Sequence, residues 1–148
     1  MILPGLLALL ASTLFAGAAI YINLVEHPAR LECGTALAAT VFGPSYRRAA
    51  VMQASLALAA SLAGLTAGLM HGQWLWYCGA ALIFAVVPFT FVVIMPTNKR
   101  LLDPALEASA NETGELLLRW GRLHAVRSVS SAMAVAAFAS ALTQMLSA

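Results

Sequence analysis

The chain has 148 residues, 61% of them hydrophobic and 9% charged, with a mean hydropathy of +0.86 and a formal net charge of +2. Soluble domains are roughly half apolar and a quarter charged, so this composition excludes a soluble enzyme, a nucleic-acid-binding domain and a disordered chain. It points to one polytopic membrane domain over residues 1–148, because several runs approach the ~20 apolar residues that cross about 30 Å of hydrocarbon.

Span one is expected from about Ile2 to Val25. Ala16-Gly17-Ala18 offers the small residues of a signal-peptide cleavage site, but no Lys or Arg precedes the run and apolarity continues to Val25, so the segment is expected to stay as a span. The first connection carries Glu26, Arg30, Glu32, Arg47 and Arg48. Pro28 suits a first helical turn and Gly43-Pro44 a break, which predicts a short interfacial helix over about Ala29–Ala39. Span two follows at about Ala49–Met70, where Ala60, Gly64 and Gly68 are spaced to let a neighbouring helix approach. After the uncharged turn at His71-Gly72-Gln73, span three covers about Trp74–Met95; Trp74, Trp76 and Tyr77 suit an aromatic belt, and Pro88 interrupts the helix. The second connection holds every remaining charge, from Lys99 to Arg127, with breakers at Pro96, Asn98 and Asp103-Pro104. Asn111 can cap a helix beginning near Glu112 that runs unbroken into span four, about Ser128–Leu146, where Ala132, Ala136 and Ser140 form a second small-residue ridge.

Continuous apolarity predicts helices rather than the alternating strands of a membrane barrel, hence an all-α four-helix bundle. All 8 Lys and Arg residues lie in two alternate connections. The positive-inside rule then places both connections in the cytoplasm and both termini outside, across a bacterial cytoplasmic membrane. Cys33 and Cys78 fall on opposite sides and cannot form a disulfide. No Cys-x-x-Cys, phosphate loop, nucleophile elbow or zinc-protease motif is present.

Each span becomes polar toward its charged end. Asn23 and Glu26 are i,i+3 with Arg30 one turn beyond Glu26; Tyr46 and Gln53 are i,i+7, as are Thr90 and Thr97; Trp120, His124, Arg127 and Ser131 form one helical stripe. At ~1.5 Å per residue Gln53 lies about 26 Å below Met70, and Thr90 about 24 Å below Trp74. These helix ends are expected to line a pocket opening toward the cytoplasm, with Gln53 and Thr90 at its floor and a charged rim. Arg30, Arg47, Arg48, Lys99 and Arg100 also read as topology anchors, and Gln53 and Thr90 as interhelical hydrogen-bonding groups. Glu26, His124 and Arg127 are expected to converge, since unpaired charges beside hydrocarbon are expensive.

The order Gly17…Tyr21-Ile22…Glu26-x-Pro28-Ala29-Arg30, then Tyr46…Gln53, then Pro88-x-Thr90…Pro96-x-Asn98, then Trp120…His124-x-x-Arg127 resembles the anthrone oxygenase-like family, over about Gly17 to Ala132. Members are small four-helix membrane proteins, most of unknown function. The resemblance implies oxidation of an anthrone to an anthraquinone by dioxygen, without a dissociable cofactor. That chemistry needs a base to take a proton from the central carbon, an anion stabiliser and a flat apolar slot. His124 is the candidate base. Arg127 would stabilise the phenolate or enolate oxygen, with Gln53 and Tyr46 as further donors. Trp120 would stack on the ring, Glu26 would orient His124 or pair with Arg127, and Thr90, Asn98 and Arg30 would complete the substrate pocket. A metal held by Glu26, His27 and His124 is the competing arrangement, without supporting ligand spacing. The alternative from another class is a non-catalytic membrane protein that binds a lipid or small apolar ligand or supports a partner complex. The expected partners are the bilayer and a small aromatic or apolar ligand, not nucleic acid; the oligomeric state stays open.

Overall fold

The computed structural model describes residues 2–147, so the expected domain limits, 1 and 148, lie outside the described residues. Four helices, α1 (Leu3–Glu32), α2 (Thr35–His71), α3 (Trp74–Leu101) and α4 (Asn111–Ser147), are each long and apolar enough to cross a membrane. Among the described residues there is no strand. Each helix contains one of the four apolar runs. They pack in a ring, α1 and α3 each against α2 and α4, while the diagonal pairs barely touch. The outward faces are apolar: Leu24, Val51, Leu69 and Val92 are more than 70% exposed, a surface that hydrocarbon covers and water would not tolerate.

The turns follow from glycine. Gly34, at φ 93°, ends α1 and lets α2 begin one residue later. Gly72, at φ 68°, closes α2 in the left-handed conformation, its N–H donating to the Gly68 carbonyl at 2.8 Å. The short helix expected in the first connection is therefore drawn into its neighbours: Glu32 still belongs to α1, and Thr35 already to α2. Pro44 does not break α2, although an internal proline costs about 3 kcal/mol. Ala38 and Phe42 are fully buried just before it and Gln53 after it, so packing on both sides carries the helix through. Pro96 likewise lies within α3, and the chain leaves the helix at Asp103-Pro104, where Asp103 Oδ1 accepts from the Ala105 N–H at 2.9 Å.

Both α1 and α3 contain one wide π turn, Ile22–Glu26 and Thr90–Ile94. Each ends two residues before a proline, Pro28 or Pro96, and the His27 and Met95 N–H groups reach back five residues, to the Ile22 and Thr90 carbonyls. Such a turn shifts the register of everything beyond it, and it sits where the polar side chains gather.

The core has two layers. Toward the uncharged end Phe15, Trp76, Ile83 and Phe138 pack together; toward the charged end Phe42, Ile94, Leu101, Leu117 and Trp120 do. Trp76 is thus fully buried, against Phe138 at 5.9 Å between ring centroids, and not in an aromatic belt; Trp74 and Tyr77 are the exposed members of that trio. The ridge on α2 faces inward as expected, but Ala132, Ala136 and Ser140 of α4 face outward, because Ser131, Ala134, Phe138 and Ala141 occupy the inner face. A Cβ on Gly64 or Gly79 would come within 2.6 or 2.5 Å of the Phe138 ring. Gly64→Ala and Gly79→Ala are each expected to cost about 1–3 kcal/mol by overpacking. Gly17→Ala, whose Cβ meets nothing within 4 Å, is the neutral comparison. Unfolding temperatures in one detergent check this, and equal temperatures for all three variants would contradict it.

Candidate functional site

The site is built where α1, α2 and α4 meet, one turn inside the charged connections. Asn23, in the π turn of α1, donates through Nδ2 to the Gly121 carbonyl at 2.9 Å. A carbonyl can only accept, so this contact orients the amide and leaves Oδ1 as the acceptor. His124 Nδ1 lies 2.7 Å from Oδ1 and Ser128 Oγ 2.6 Å from it, so Nδ1 must be the protonated nitrogen and Ser128 a second donor. The lone pair of a neutral His124 then resides on Nε2. Asn23 thus takes the orienting position expected for Glu26.

His124, 2% exposed, stacks on Trp120 at 4.7 Å between centroids. The indole is held in turn: its Nε1 donates to Asn98 Oδ1 at 2.9 Å, His27 tilts against it at 5.1 Å, and Phe42 meets it edge-on at 5.3 Å. With these rings around it, Trp120 positions His124, and it also lines the smaller of two cavities at the site. Asn98, 1% exposed, orients Trp120 in the same way. His27 Nε2 donates to the Leu117 carbonyl at 3.0 Å. Its approach needs Gly121, where a Cβ would come within 2.8 Å of the imidazole.

Arg127 extends from α4 into the bundle, donates to Gln53 Oε1 at 2.5 Å and lies over the Phe15 ring at 5.4 Å. Among the described residues it has no carboxylate partner: Glu26 bonds Arg30 and accepts from Ser45 Oγ at 3.1 Å. The expected convergence of Glu26 with His124 and Arg127 is therefore replaced by two separate pairs, because the π turn aims Asn23 and His27 at α4 and leaves Glu26 and Arg30 facing α2. Arg127 Nε and Gln53 Nε2 are buried with no hydrogen-bond acceptor among the described residues. Two donors face the interior around one cation. No three His, Cys, Asp or Glu side chains come together among the described residues, and Glu26, His27 and His124 each bond a different partner.

Two cavities meet at this pair. The smaller, about 20 Å³, is walled by Arg30, Tyr46, Gln53, Trp120, His124 and Arg127 and has room for one molecule the size of water or dioxygen. Its wall at the charged end includes Arg30, held by its bonds to Glu26 and Ser45. The larger, about 150 Å³, lies between α2 and α3 and shares Tyr46, Gln53 and Arg127 with the first. Thr90 lines it, with its hydroxyl donating to the Val86 carbonyl at 2.6 Å; Tyr46 stacks on Phe42 at 5.7 Å. Sequence reasoning put Asn23 on the polar face of its span without giving it a role, and missed Ser128, Phe42 and Gly121. Asn23 carried the one available signal, a carboxamide inside an otherwise apolar span.

Fold and site together define a small four-helix protein suited to a membrane, with an oriented imidazole and, among the described residues, a guanidinium without a carboxylate partner at one end of its interior. The chain belongs to the anthrone oxygenase family, whose pattern matches residues 42–137. That segment holds Tyr46, Gln53, Thr90, Asn98, Trp120, His124 and Arg127 and leaves out Glu26 and Arg30 of α1. Anthrone oxygenase tpcL of Aspergillus fumigatus is 43% identical over 53 residues, 34% of this chain. The match covers only 33% of that protein's length. No solved structure matches the chain.

Proposed function

We propose that the protein oxidises a phenolic polycycle of the anthrone type with dioxygen, and that His124 is the base. The observation that carries this is the Asn23 contact, which places the proton of His124 on Nδ1 and leaves the Nε2 lone pair for the cavity that Arg127 and Gln53 also line. Across the smaller cavity, which has room for one water, Nε2 takes a proton from the central methylene carbon through a single-water relay. The resulting anion is delocalised onto the ring oxygens, where Arg127 and Gln53 Nε2 stabilise it. The carbanion adds dioxygen to form a hydroperoxide at that carbon, the peroxide receiving its proton from the imidazolium. His124 then takes the second proton from the carbon as the O–O bond breaks. The carbon becomes a carbonyl, and the departing hydroxide takes the imidazolium proton and leaves as water, which restores the neutral His124. One dioxygen is reduced, one quinone and one water form, and no cofactor enters the balance. Membership of the family and the name of the Aspergillus relative support the substrate class.

Purified protein given 1,8-dihydroxyanthrone should consume one dioxygen per quinone formed, faster than the protein-free reaction. Binding of the quinone without any such acceleration would move the protein to the non-catalytic class. The orientation with both charged connections inside has its own check. Cys33 is exposed in the turn between α1 and α2. With Cys78 replaced by serine, Cys33 should react with an impermeant maleimide only after cells are permeabilised; labelling in intact cells would reverse the orientation.

A further inference from the structure

The larger cavity opens on the flank of the bundle. Near the uncharged end α2 and α3 are in close contact, where a Cβ on Gly68 would lie 2.9 Å from Tyr77 and one on Gly64 3.3 Å from Ala80. Further along they are parted by the cleft between Tyr46–Ala57 and Val86–Met95, at the level of Pro88 and the second π turn. Its outer wall includes Ala54 and Phe91, both exposed and both apolar, and Phe91 belongs to the surface that hydrocarbon covers. Its inner wall is Phe15, Gln53 and Arg127. Gln53 is 2% exposed and its Nε2 has no acceptor among the described residues. The cleft is therefore apolar at its mouth and cationic at its end.

Resting on the function proposed above, we infer that the cleft between α2 and α3 is a lateral binding site for a membrane-dissolved, flat aromatic compound bearing an acidic oxygen, which slides in from the bilayer as far as Arg127 and Gln53, residues this cleft shares with the smaller cavity that His124 lines. Size supports this geometry. A dry cavity near 150 Å³ accommodates about one benzene ring, so a tricycle inserts part of its ring system and keeps its far ring in lipid. Charge supports it too, because an anion delivered here supplies Arg127 with the negative partner that Glu26 does not. From the charged end the same position lies behind Arg30, with its bonds to Glu26 and Ser45.

The test uses the full chain in nanodiscs of dioleoyl phosphatidylcholine with 1,8-dihydroxyanthraquinone as probe, read by quenching of tryptophan fluorescence. Ala54→Phe fills the mouth from a lipid-exposed position and should weaken binding by about tenfold or more, which corresponds to about 1.4 kcal/mol. Val129→Phe, on the exposed face of α4, should bind as wild type does. A sulfonated form of the probe, which stays in water, should not bind. Wild-type affinity in Ala54→Phe, or equal binding of the sulfonated and parent probes, would overturn lateral loading. The two readings fail separately: binding lost in Ala54→Phe without dioxygen consumption by wild type removes only the oxidation, whereas oxidation indifferent to Ala54→Phe removes only the cleft.

Discussion

His124→Ala is expected to lower the dioxygen-dependent conversion of 1,8-dihydroxyanthrone by about 10²–10⁴-fold in kcat, the usual contribution of a positioned general base. KM should change little, because the imidazole acts on a proton and not on the oxygen that binds Arg127. Asn23→Leu provides the companion measurement. It removes the acceptor that holds the proton on Nδ1, so the ring is free to present N–H to the cavity, and kcat should fall although every atom of the base remains. Protein amounts must be matched, since Ser128 and Gly121 also bond Asn23 and a loosened α1–α4 contact would imitate a chemical defect. Equal activity in wild type and His124→Ala would end the assignment.

Arg127→Met should lower kcat/KM by about 10²–10³-fold, the scale seen when one donor to a developing oxyanion is removed. Its thermal stability should nonetheless be held or improved. Breaking an ion pair leaves a charge stranded, but here the charge itself is removed and its partner, Gln53, is neutral. Arg127→Lys keeps a cation without the planar fork and should fall between. Unfolding temperature and kcat/KM measured in the same detergent separate the roles. If both fall together in Arg127→Met, the guanidinium holds helices and not substrate.

What was legible in the sequence was local. Runs of uncharged apolar residues marked the four helices because crossing hydrocarbon demands both length and satisfied backbone. The Trp120, His124, Arg127 stripe was legible because one regular helix carries it, and the positions of Gln53 and Tyr46 followed from the same spacing. Partners were not legible. Asn23 meets its three partners 98, 101 and 105 residues away, and no local period encodes that. Glu26 was given the orienting role by its charge and its i,i+3 spacing from Asn23. The π turn at Ile22–Glu26 breaks the 3.6-residue rule there, so the neutral amide faces His124 and the carboxylate faces Arg30. Pro44 and Pro96 misled for a related reason: a proline signals a break when only the backbone is considered, and burial of Phe42, Thr97 and Asn98 overrides it.

The lengths of α2 and α4 have a physiological consequence. Each has 37 residues and so extends about 55 Å, nearly twice the hydrocarbon thickness. Arg119 and Arg122 are the last charges of α4 before Arg127, which lies five residues, about 7 Å, beyond Arg122 toward the apolar part of the helix. Thinning the bilayer by a few ångströms would bring headgroups and their water to the level of the guanidinium, and thickening it would draw the cluster deeper. How dry the proposed site is thus depends on lipid chain length as well as on the protein, which makes membrane composition a determinant of the chemistry proposed for it.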